Sequence, residues 1–225
     1  GVLMFAALVK LPETHPLEKR GNESLWQAFA AYGSLLKNKA YMRYVMCVTL
    51  FYVSAYAFII GSPFVYIDYF GVDPQHYGWL FALNIVGLMG VSAANRRLVG
   101  RYRLDTLIRA ATAVAAVAGI MLAACAYSGF GGIYGIILPV FVFFATNGII
   151  AACTTAAALN GVPQIAGSAS ALLGSLQYGS GIVSSLLLAA LSDGTPHAMA
   201  LIIALFGIGS MAMAFLPSAA AGKRK

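Results

Sequence analysis

Residues 95–109 read NRRLVGRYRLDTLIR, and they hold five arginines in a chain that is 60% hydrophobic and only 9% charged. The stretch that follows, residues 110–192, contains no Asp, Glu, Lys, Arg or His. Soluble domains carry about 25% charged residues, whereas an apolar run of about 18 residues or more is typical of a membrane-spanning helix. The sequence therefore predicts an all-α, polytopic membrane protein whose arginines lie where the chain leaves the membrane.

Apolar segments of membrane-spanning length follow one another along the chain. Irregular backbone in lipid would leave peptide groups without hydrogen-bond partners, so each segment is predicted to be a helix. Short turns rich in glycine, proline and aspartate separate the segments, such as GVDP at 71–74 and SDGTP at 192–196. The six predicted full spans are 44–67, 77–95, 107–127, 133–155, 165–191 and 197–216.

The positive charges fall on one side of this predicted six-transmembrane-helix bundle. When successive loops are placed on alternate sides, all 14 lysines and arginines lie in residues 10–43, residues 96–109 and the tail after 217. Because basic loops stay in the cytoplasm, the positive-inside rule makes residues 96–109 a cytoplasmic hairpin. Membrane orientation thus accounts for the net charge of +7, and no nucleic-acid partner is expected.

The predicted organisation has four parts. Residues 1–9 (GVLMFAALV) are expected to be the end of an earlier span, because the chain starts inside an apolar run. Residues 10–43 form a basic cytoplasmic linker, residues 44–217 the transmembrane domain, and residues 218–225 a basic cytoplasmic tail. Apolar residues at helical spacing within the linker predict a helix that is either interfacial or a solvated connector. These residues are Leu25, Trp26, Phe29, Tyr32 and Leu36.

The positions of the cysteines and acids argue against a metal site, a disulfide framework and enzymatic catalysis. Cys47, Cys125 and Cys153 lie in separate apolar segments without Cys/His spacing, so neither a metal site nor a disulfide framework is predicted. Membrane-embedded enzymes need clustered His, Asp, Glu or Ser/His at depth, and the sequence contains no such cluster. The protein is therefore not expected to be an enzyme or to need a cofactor.

Three stretches of the chain resemble one family of transporters. LPETHP (11–16) looks like the exit of the sixth span in the Bcr/CflA drug-efflux family of the major facilitator superfamily. SPFVYIDYFGVDPQHYGWLFALNIVG (62–87) is similar to that family's connection between the seventh and eighth spans, and it is the most specific match. VPQIAGSASALLG (162–174) looks like the beginning of its eleventh span.

The resemblance implies the C-terminal half of a twelve-helix exporter in the bacterial cytoplasmic (inner) membrane. Such an exporter works by alternating access, uses protons, and expels antibiotics and other small amphipathic, drug-like compounds. The implied partners are therefore the substrate, protons, the lipid bilayer and an N-terminal six-helix half. The spans resembling the seventh, eighth, tenth and eleventh should line the cavity, and those resembling the ninth and twelfth should face lipid.

Aromatic and amide side chains at depth are the candidate substrate contacts. Tyr52 and Tyr56 lie four residues apart on one helical face, and aromatic walls with polar tips suit amphipathic drugs. Asn84, Asn147 and Gln177 are amides within the spans, where polar groups face protein or water. Each of these five residues either lines the cavity or only bridges helices, and the sequence leaves both interpretations open.

Pro63 and the distribution of acids bear on gating and coupling. Pro63 lies in the last turns of its span, where the missing N–H allows a bend that is either static or a gate. Asp68, at the extracytoplasmic end, is expected to be a solvated anchor. Because no Asp, Glu or His lies near the midpoint of a span, the resemblance implies that the proton-coupling site belongs to the N-terminal half.

Two other kinds of transporter remain open from the sequence. One is half of a major facilitator carrier for a specific metabolite, and the other is a self-sufficient six-helix carrier or channel. The start inside a span and the absence of a coupling acid argue against self-sufficiency. Coding sequence for six further spans upstream would distinguish a fused transporter from a complete six-helix protein.

Overall fold

Six long apolar helices and one shorter helix make up the part of the chain described by the computed structural model, residues 25–217 with side chains from residue 31. No strand occurs within these residues. Each of the six long helices is long and apolar enough to cross a membrane, which confirms the predicted all-α transmembrane bundle. The helices are α1 (Leu25–Lys37), α2 (Lys39–Pro63), α3 (Pro74–Val99), α4 (Leu104–Ser128), α5 (Tyr134–Asn160), α6 (Ala166–Leu191) and α7 (His197–Phe215).

Polar caps extend two helices, α2 and α3, further toward water than their predicted spans. Helix α2 begins at Lys39, inside the stretch predicted as linker, because the Asn38 side chain accepts two backbone N–H hydrogen bonds of its first turn. Helix α3 begins at Pro74, directly after the Asp73 carboxylate that caps it. The apolar pattern located the spans, whereas the capping residues determine where these two helices start.

Helices α2, α4, α5 and α7 form the buried centre of the bundle. In the most apolar stretch of each of these helices at least 50% of the residues are buried, against 6% in α3 and 17% in α6. Phenylalanines join α2 to α5: the rings of Phe51 and Phe143 stack 4.8 Å apart, and Phe58 meets Phe144 edge-on at 4.9 Å. Helix α3 packs mainly on α5, and α6 mainly on α2. Both flank the centre and leave long faces uncovered.

Helix α1 carries the predicted apolar stripe, whose side chains are described from residue 31. Leu36, expected on that stripe, is 55% exposed, whereas Leu35 is 1% exposed and packs into a cluster with residues of α2 and α6. Contact with α2 and α6 buries Leu35, whereas Leu36 is left open, so an interfacial helix or a solvated connector stays a prediction. The predicted segments 1–9 and 218–225 lie outside the described residues.

Candidate substrate site

Two tyrosines of α2 form an aromatic pair in the seam between α2 and α6. The ring centroids of Tyr52 and Tyr56 are 6.0 Å apart with their planes tilted by 56°, and both residues are half-buried. The Tyr56 ring lies over Gly181 of α6, where an added Cβ would sit 3.5 Å from the ring. The Ser184 hydroxyl of α6 donates to the Val53 carbonyl at 2.6 Å. The two helices are therefore in close contact at the depth of the pair.

Tyr178 adds a third tyrosine to this seam, and the sequence analysis did not single it out. Its side chain is 70% exposed, and it lies three residues before Gly181, over which the Tyr56 ring packs. Gln177 is half-buried and lies one turn before Gly181, and its side chain makes no hydrogen bond to the described residues. The seam thus carries Tyr52 together with Tyr56, Gln177 and Tyr178. The sequence offered only two indications for Tyr178, its residue type and its position next to Gln177.

Two buried oxygen atoms, one on α2 and one on α5, lack a hydrogen-bond partner among the described residues. They are Thr49 Oγ1 of α2 and Asn147 Oδ1 of α5. Thr49 precedes Phe51 by half a turn, and Asn147 follows Phe143 by one turn. Since α2 and α5 run in opposite directions, both residues lie nearer the arginine-rich end of the bundle than the Phe51–Phe143 stack does. An unpaired buried polar group costs about 1–3 kcal/mol, so a hydrogen bond donated to either oxygen would be favourable.

Asn84 has a different environment from the other two predicted amides. It is 4% exposed, and its Nδ2 donates to the Leu80 carbonyl of its own helix at 3.2 Å. Its helix packs on α5, where the Phe141 ring fills the space beside Gly87. The structure therefore places Asn84 on the α3 flank of the bundle, and Gln177 on the α6 flank.

Pro63 lies at a change of helix type. It is the last residue of α2, and the chain continues directly as a π-helical turn, Phe64–Tyr69. Such turns are rare and occur often at functional sites. The Ser62 and Tyr77 hydroxyls, 2.8 Å apart, tie this region to α3, and Asp68 lies exposed within the π-helical turn. A gating role for Pro63 stays a prediction.

The ionised side chains of the described residues lie at the ends of the bundle rather than in the seam. The four acids between residues 25 and 217 occupy loops or the first or last turns of helices. In the loop before α7, hydrogen bonds donated by Thr195 hold the pKa of the Asp193 carboxyl below its usual range. Within the described part of the chain, no three His, Cys, Asp or Glu side chains gather around a possible metal position. The four acids are Asp68, Asp73, Asp105 and Asp193.

Comparison with known proteins assigns this architecture to a transporter family. The sequence profile described as Major Facilitator Superfamily matches residues 1–185. An uncharacterized MFS-type transporter of Bacillus subtilis, YdgK, is 33% identical over 175 residues, which are 78% of this chain and 43% of the relative. A bicyclomycin resistance protein homolog of Haemophilus influenzae is 30% identical over 199 residues, which are 88% of this chain and 50% of the relative. The chain spans about half the length of the curated relatives it matches.

Proposed function

The chain belongs to the Major Facilitator Superfamily, whose members are transporters rather than enzymes, and on this premise we propose that it is the C-terminal half of a proton-coupled multidrug exporter. The substrates are antibiotics and other small amphipathic molecules, and the mechanism is alternating access in the bacterial inner membrane. The name of one relative, a bicyclomycin resistance protein homolog, supports a drug as substrate.

The uncovered faces of α3 and α6 support the proposal that a second six-helix half completes the transporter. These two helices are the least buried spans of the described residues. They are also the helices that resemble the eighth and eleventh spans of the family. Large apolar side chains are exposed along both, and in our proposal they pack on the N-terminal half. Examples are Leu83, Val86 and Met89 of α3, and Ile182 and Leu186 of α6.

The observation that carries the substrate proposal is the pairing of a tyrosine seam with unpartnered buried oxygens. Aromatic rings provide apolar area with a fixed shape, and Tyr178, one turn before Ile182 on the uncovered face of α6, is proposed to contact the substrate between the two halves. Thr49 Oγ1 and Asn147 Oδ1 offer hydrogen-bonding positions without a competing protein partner among the described residues. A small molecule with an apolar body and a hydrogen-bond donor fits this combination, and no charged group in the seam demands a charged ligand.

Proton coupling is proposed to reside in the N-terminal half. The acids of the described residues lie at helix ends, whereas a coupling group must change its protonation as the cavity opens and closes. In this proposal, the present chain contributes substrate contacts and one side of the interface between the two six-helix halves, which move relative to each other.

Drug accumulation in cells tests the proposal. Cells without their own efflux pumps should accumulate less bicyclomycin, and less of several unrelated drugs, when they express the complete transporter. A protonophore should abolish the difference. Asn147→Leu, which removes one unpartnered oxygen, should weaken export at equal protein level. Accumulation that is unchanged by expression would reject the exporter proposal, and uptake of a single metabolite would favour the metabolite carrier instead.

A further inference from the structure

An apolar groove follows α4 along most of the membrane depth. It consists of two cavities, of about 540 and 370 Å³, that share Val114 and Val142. The larger lies between α4 and α5, and the smaller adds the last turns of α3 as a third wall. From Leu107 to Cys125, the groove residues of α4 extend over roughly 27 Å at about 1.5 Å per residue. This length is close to the thickness of the hydrocarbon region, about 30 Å.

The groove is open to the outside of the described bundle rather than enclosed by it. Val117, Met121 and Leu138 line it and are between 54% and 64% exposed. Its walls are almost entirely hydrocarbon, so water gains no hydrogen bonds there. Helix α4 buries one face in the bundle and leaves the other uncovered, and the ninth span of the family, which it resembles, is expected to face lipid. Acyl chains are therefore the molecules that can fill the groove in a bilayer.

Positively charged side chains lie at one end of the groove. The smaller cavity ends at Leu98 of α3 and Leu107 of α4, which flank the short loop joining these helices. That loop contains Arg101 and Arg103, both exposed, with Tyr102 between them at 55% exposure. Aromatic and basic side chains in this arrangement are typical of the boundary between hydrocarbon and lipid headgroups.

The nearest carboxylate does not neutralise these arginines. Asp105 follows Arg103 by two residues, but its Oδ1 atom lies 2.6 Å from the Arg43 guanidinium and also accepts a hydrogen bond from the Tyr44 hydroxyl at 2.9 Å. Within residues 31–217, Arg101 and Arg103 form no ion pair. The end of the groove therefore keeps a net positive charge that a phosphate can approach.

We propose that α3, α4 and α5 form a binding site for an anionic phospholipid. Its phosphate lies on Arg101 and Arg103, and its acyl chains descend past Leu98 and Leu107 to Val114. Basic pockets between transmembrane helices recognise anionic headgroups in this way. The charge at the end of the groove distinguishes the site from an ordinary lipid-facing surface, because it selects one headgroup class over another.

Lipid binding to the purified complete transporter tests the site. Native mass spectrometry and thermal unfolding in detergent are measured with phosphatidylglycerol and with phosphatidylcholine of identical acyl chains. We expect phosphatidylglycerol to be retained and to raise the unfolding temperature, and phosphatidylcholine to do neither at equal concentration. Arg101→Gln with Arg103→Gln should weaken phosphatidylglycerol binding about 25-fold, at about five-fold for each arginine. Lys37→Gln with Lys39→Gln removes the same charge from exposed positions outside the groove and should change binding less than two-fold.

A second variant tests the apolar part of the site. Val114→Trp fills the groove where the two cavities meet and should weaken phosphatidylglycerol binding at least ten-fold. Leu205→Trp, on a similarly exposed position of α7, should not. Equal retention of both lipids, or binding unchanged by Val114→Trp, would overturn the proposal in favour of a lipid annulus or of surface charge alone. Competition by glycerol phosphate at the same concentration as the lipid would also overturn it, because the site would then be one for free phosphate.

Discussion

The guanidinium of Arg43 lies 2.6 Å from the carboxylate of Asp105, and this pair joins the start of α2 to the start of α4. A second guanidinium nitrogen of Arg43 donates to the carbonyl of Leu216, at the end of α7, at 2.7 Å. The Tyr44 hydroxyl donates to the same Asp105 oxygen. The ends of three helices are thus tied together at the arginine-rich end of the bundle. Arg43 is only 4% exposed, whereas the Asp105 side chain is 33% exposed.

This difference in exposure predicts unequal effects of the two single substitutions. Asp105→Asn leaves a buried cation without a counter-charge, and the Arg43 Nε atom already lacks a partner among the described residues. We expect the free energy of unfolding to fall by about 2–4 kcal/mol. Arg43→Gln leaves a carboxylate that water can reach, and should cost about 1–2 kcal/mol. Unfolding in mixed detergent micelles measures both values.

The double variant provides the control for this pair. Arg43→Gln combined with Asp105→Asn removes both charges, so its destabilisation should be smaller than the sum of the two single effects. Additive effects, or a larger loss for Arg43→Gln than for Asp105→Asn, would contradict the account given for the buried guanidinium.

The close packing around Gly148 predicts that a residue without a Cβ is required where α3 packs on α5. A Cβ at this position would lie 2.6 Å from Ser92 Oγ, 2.7 Å from the Ser92 nitrogen and 2.9 Å from the Leu88 carbonyl oxygen. Two of these atoms are backbone, so Gly148→Ala should force the helices apart and lower stability by about 1–3 kcal/mol. Gly78→Ala in α3, where nothing lies within 4 Å, is the matched control. It should leave the unfolding temperature unchanged or slightly higher, and an equal loss in both variants would reject the steric explanation.

Apolar periodicity and charge were sufficient to predict the spans, because both can be read from a single segment without knowing which helices it contacts. Arg96, Arg97, Arg101 and Arg103 mark the end of α3 and the loop after it, whatever the helices pack against. Asn95, in the same stretch, shows the limit of this reasoning. Its Nδ2 donates to the Gly148 carbonyl of α5 at 3.3 Å and the residue is 6% exposed, so it belongs to a helix contact rather than to the loop. Only the packing of α3 on α5 reveals this role.

The sequence predicted which residue types form the candidate site, but not which residues of neighbouring helices contact one another there. Tyr52 and Tyr56 were recognisable because their spacing places them on one face of a single helix. Tyr178 and Thr49 were not, since their roles depend on which neighbouring helix lies beside them. The unpartnered state of Asn147 Oδ1 is likewise a property of the assembled bundle. Contacts between spans are set by tertiary packing, which a single helical pattern does not contain.

The orientation of the bundle can be tested with two engineered cysteines. Native Cys47, Cys125 and Cys153 are first replaced by serine, and Arg101→Cys or Ser192→Cys is then introduced at an exposed loop position. Position 192 is preferable to Gly194, whose φ of +77° would strain a cysteine. Because the positive-inside rule places the arginine loop in the cytoplasm, an impermeant maleimide added to intact cells should label position 192 and not 101. Labelling of 101 from outside would reverse the topology.

Asp68 is predicted to be dispensable for proton coupling. It lies exposed in the π-helical turn at the end of its span and not in the tyrosine seam, so in our proposal it contacts water rather than the substrate. Asp68→Asn in the complete transporter should leave proton-driven export within about two-fold of the unsubstituted protein. Drug efflux driven by an imposed pH gradient in membrane vesicles measures this. If the variant bound drug but no longer exported it, the coupling site would lie in this half.

The amide at Gln177 is predicted to affect some drugs more than others. Its side chain is half-buried, makes no hydrogen bond to the described residues, and lies beside the exposed ring of Tyr178. Loss of one such polar contact should shift affinity by about 0.5–1.5 kcal/mol, or about two- to twelve-fold. Because each drug uses a different subset of contacts, Gln177→Ala should change the resistance profile over a panel of unrelated drugs at equal protein level. A uniform loss across the panel would instead assign Gln177 to helix packing.

Asn84 provides the comparison for Gln177. The sequence predicts the same cavity role for both amides, but Asn84 is buried and already donates to the Leu80 carbonyl of its own helix. If Asn84 also lines the substrate path, Asn84→Ala should give a drug-dependent profile like that of Gln177→Ala, and smaller in size because part of the amide is engaged within α3. If the hydrogen bond to Leu80 is its whole role, the variant should lower the amount of folded transporter and weaken resistance to every drug equally. Resistance to each drug, normalised to the amount of protein in the membrane, separates the two outcomes. A drug-independent loss at Asn84 beside a drug-dependent one at Gln177 would assign the substrate path to the α6 flank of the bundle.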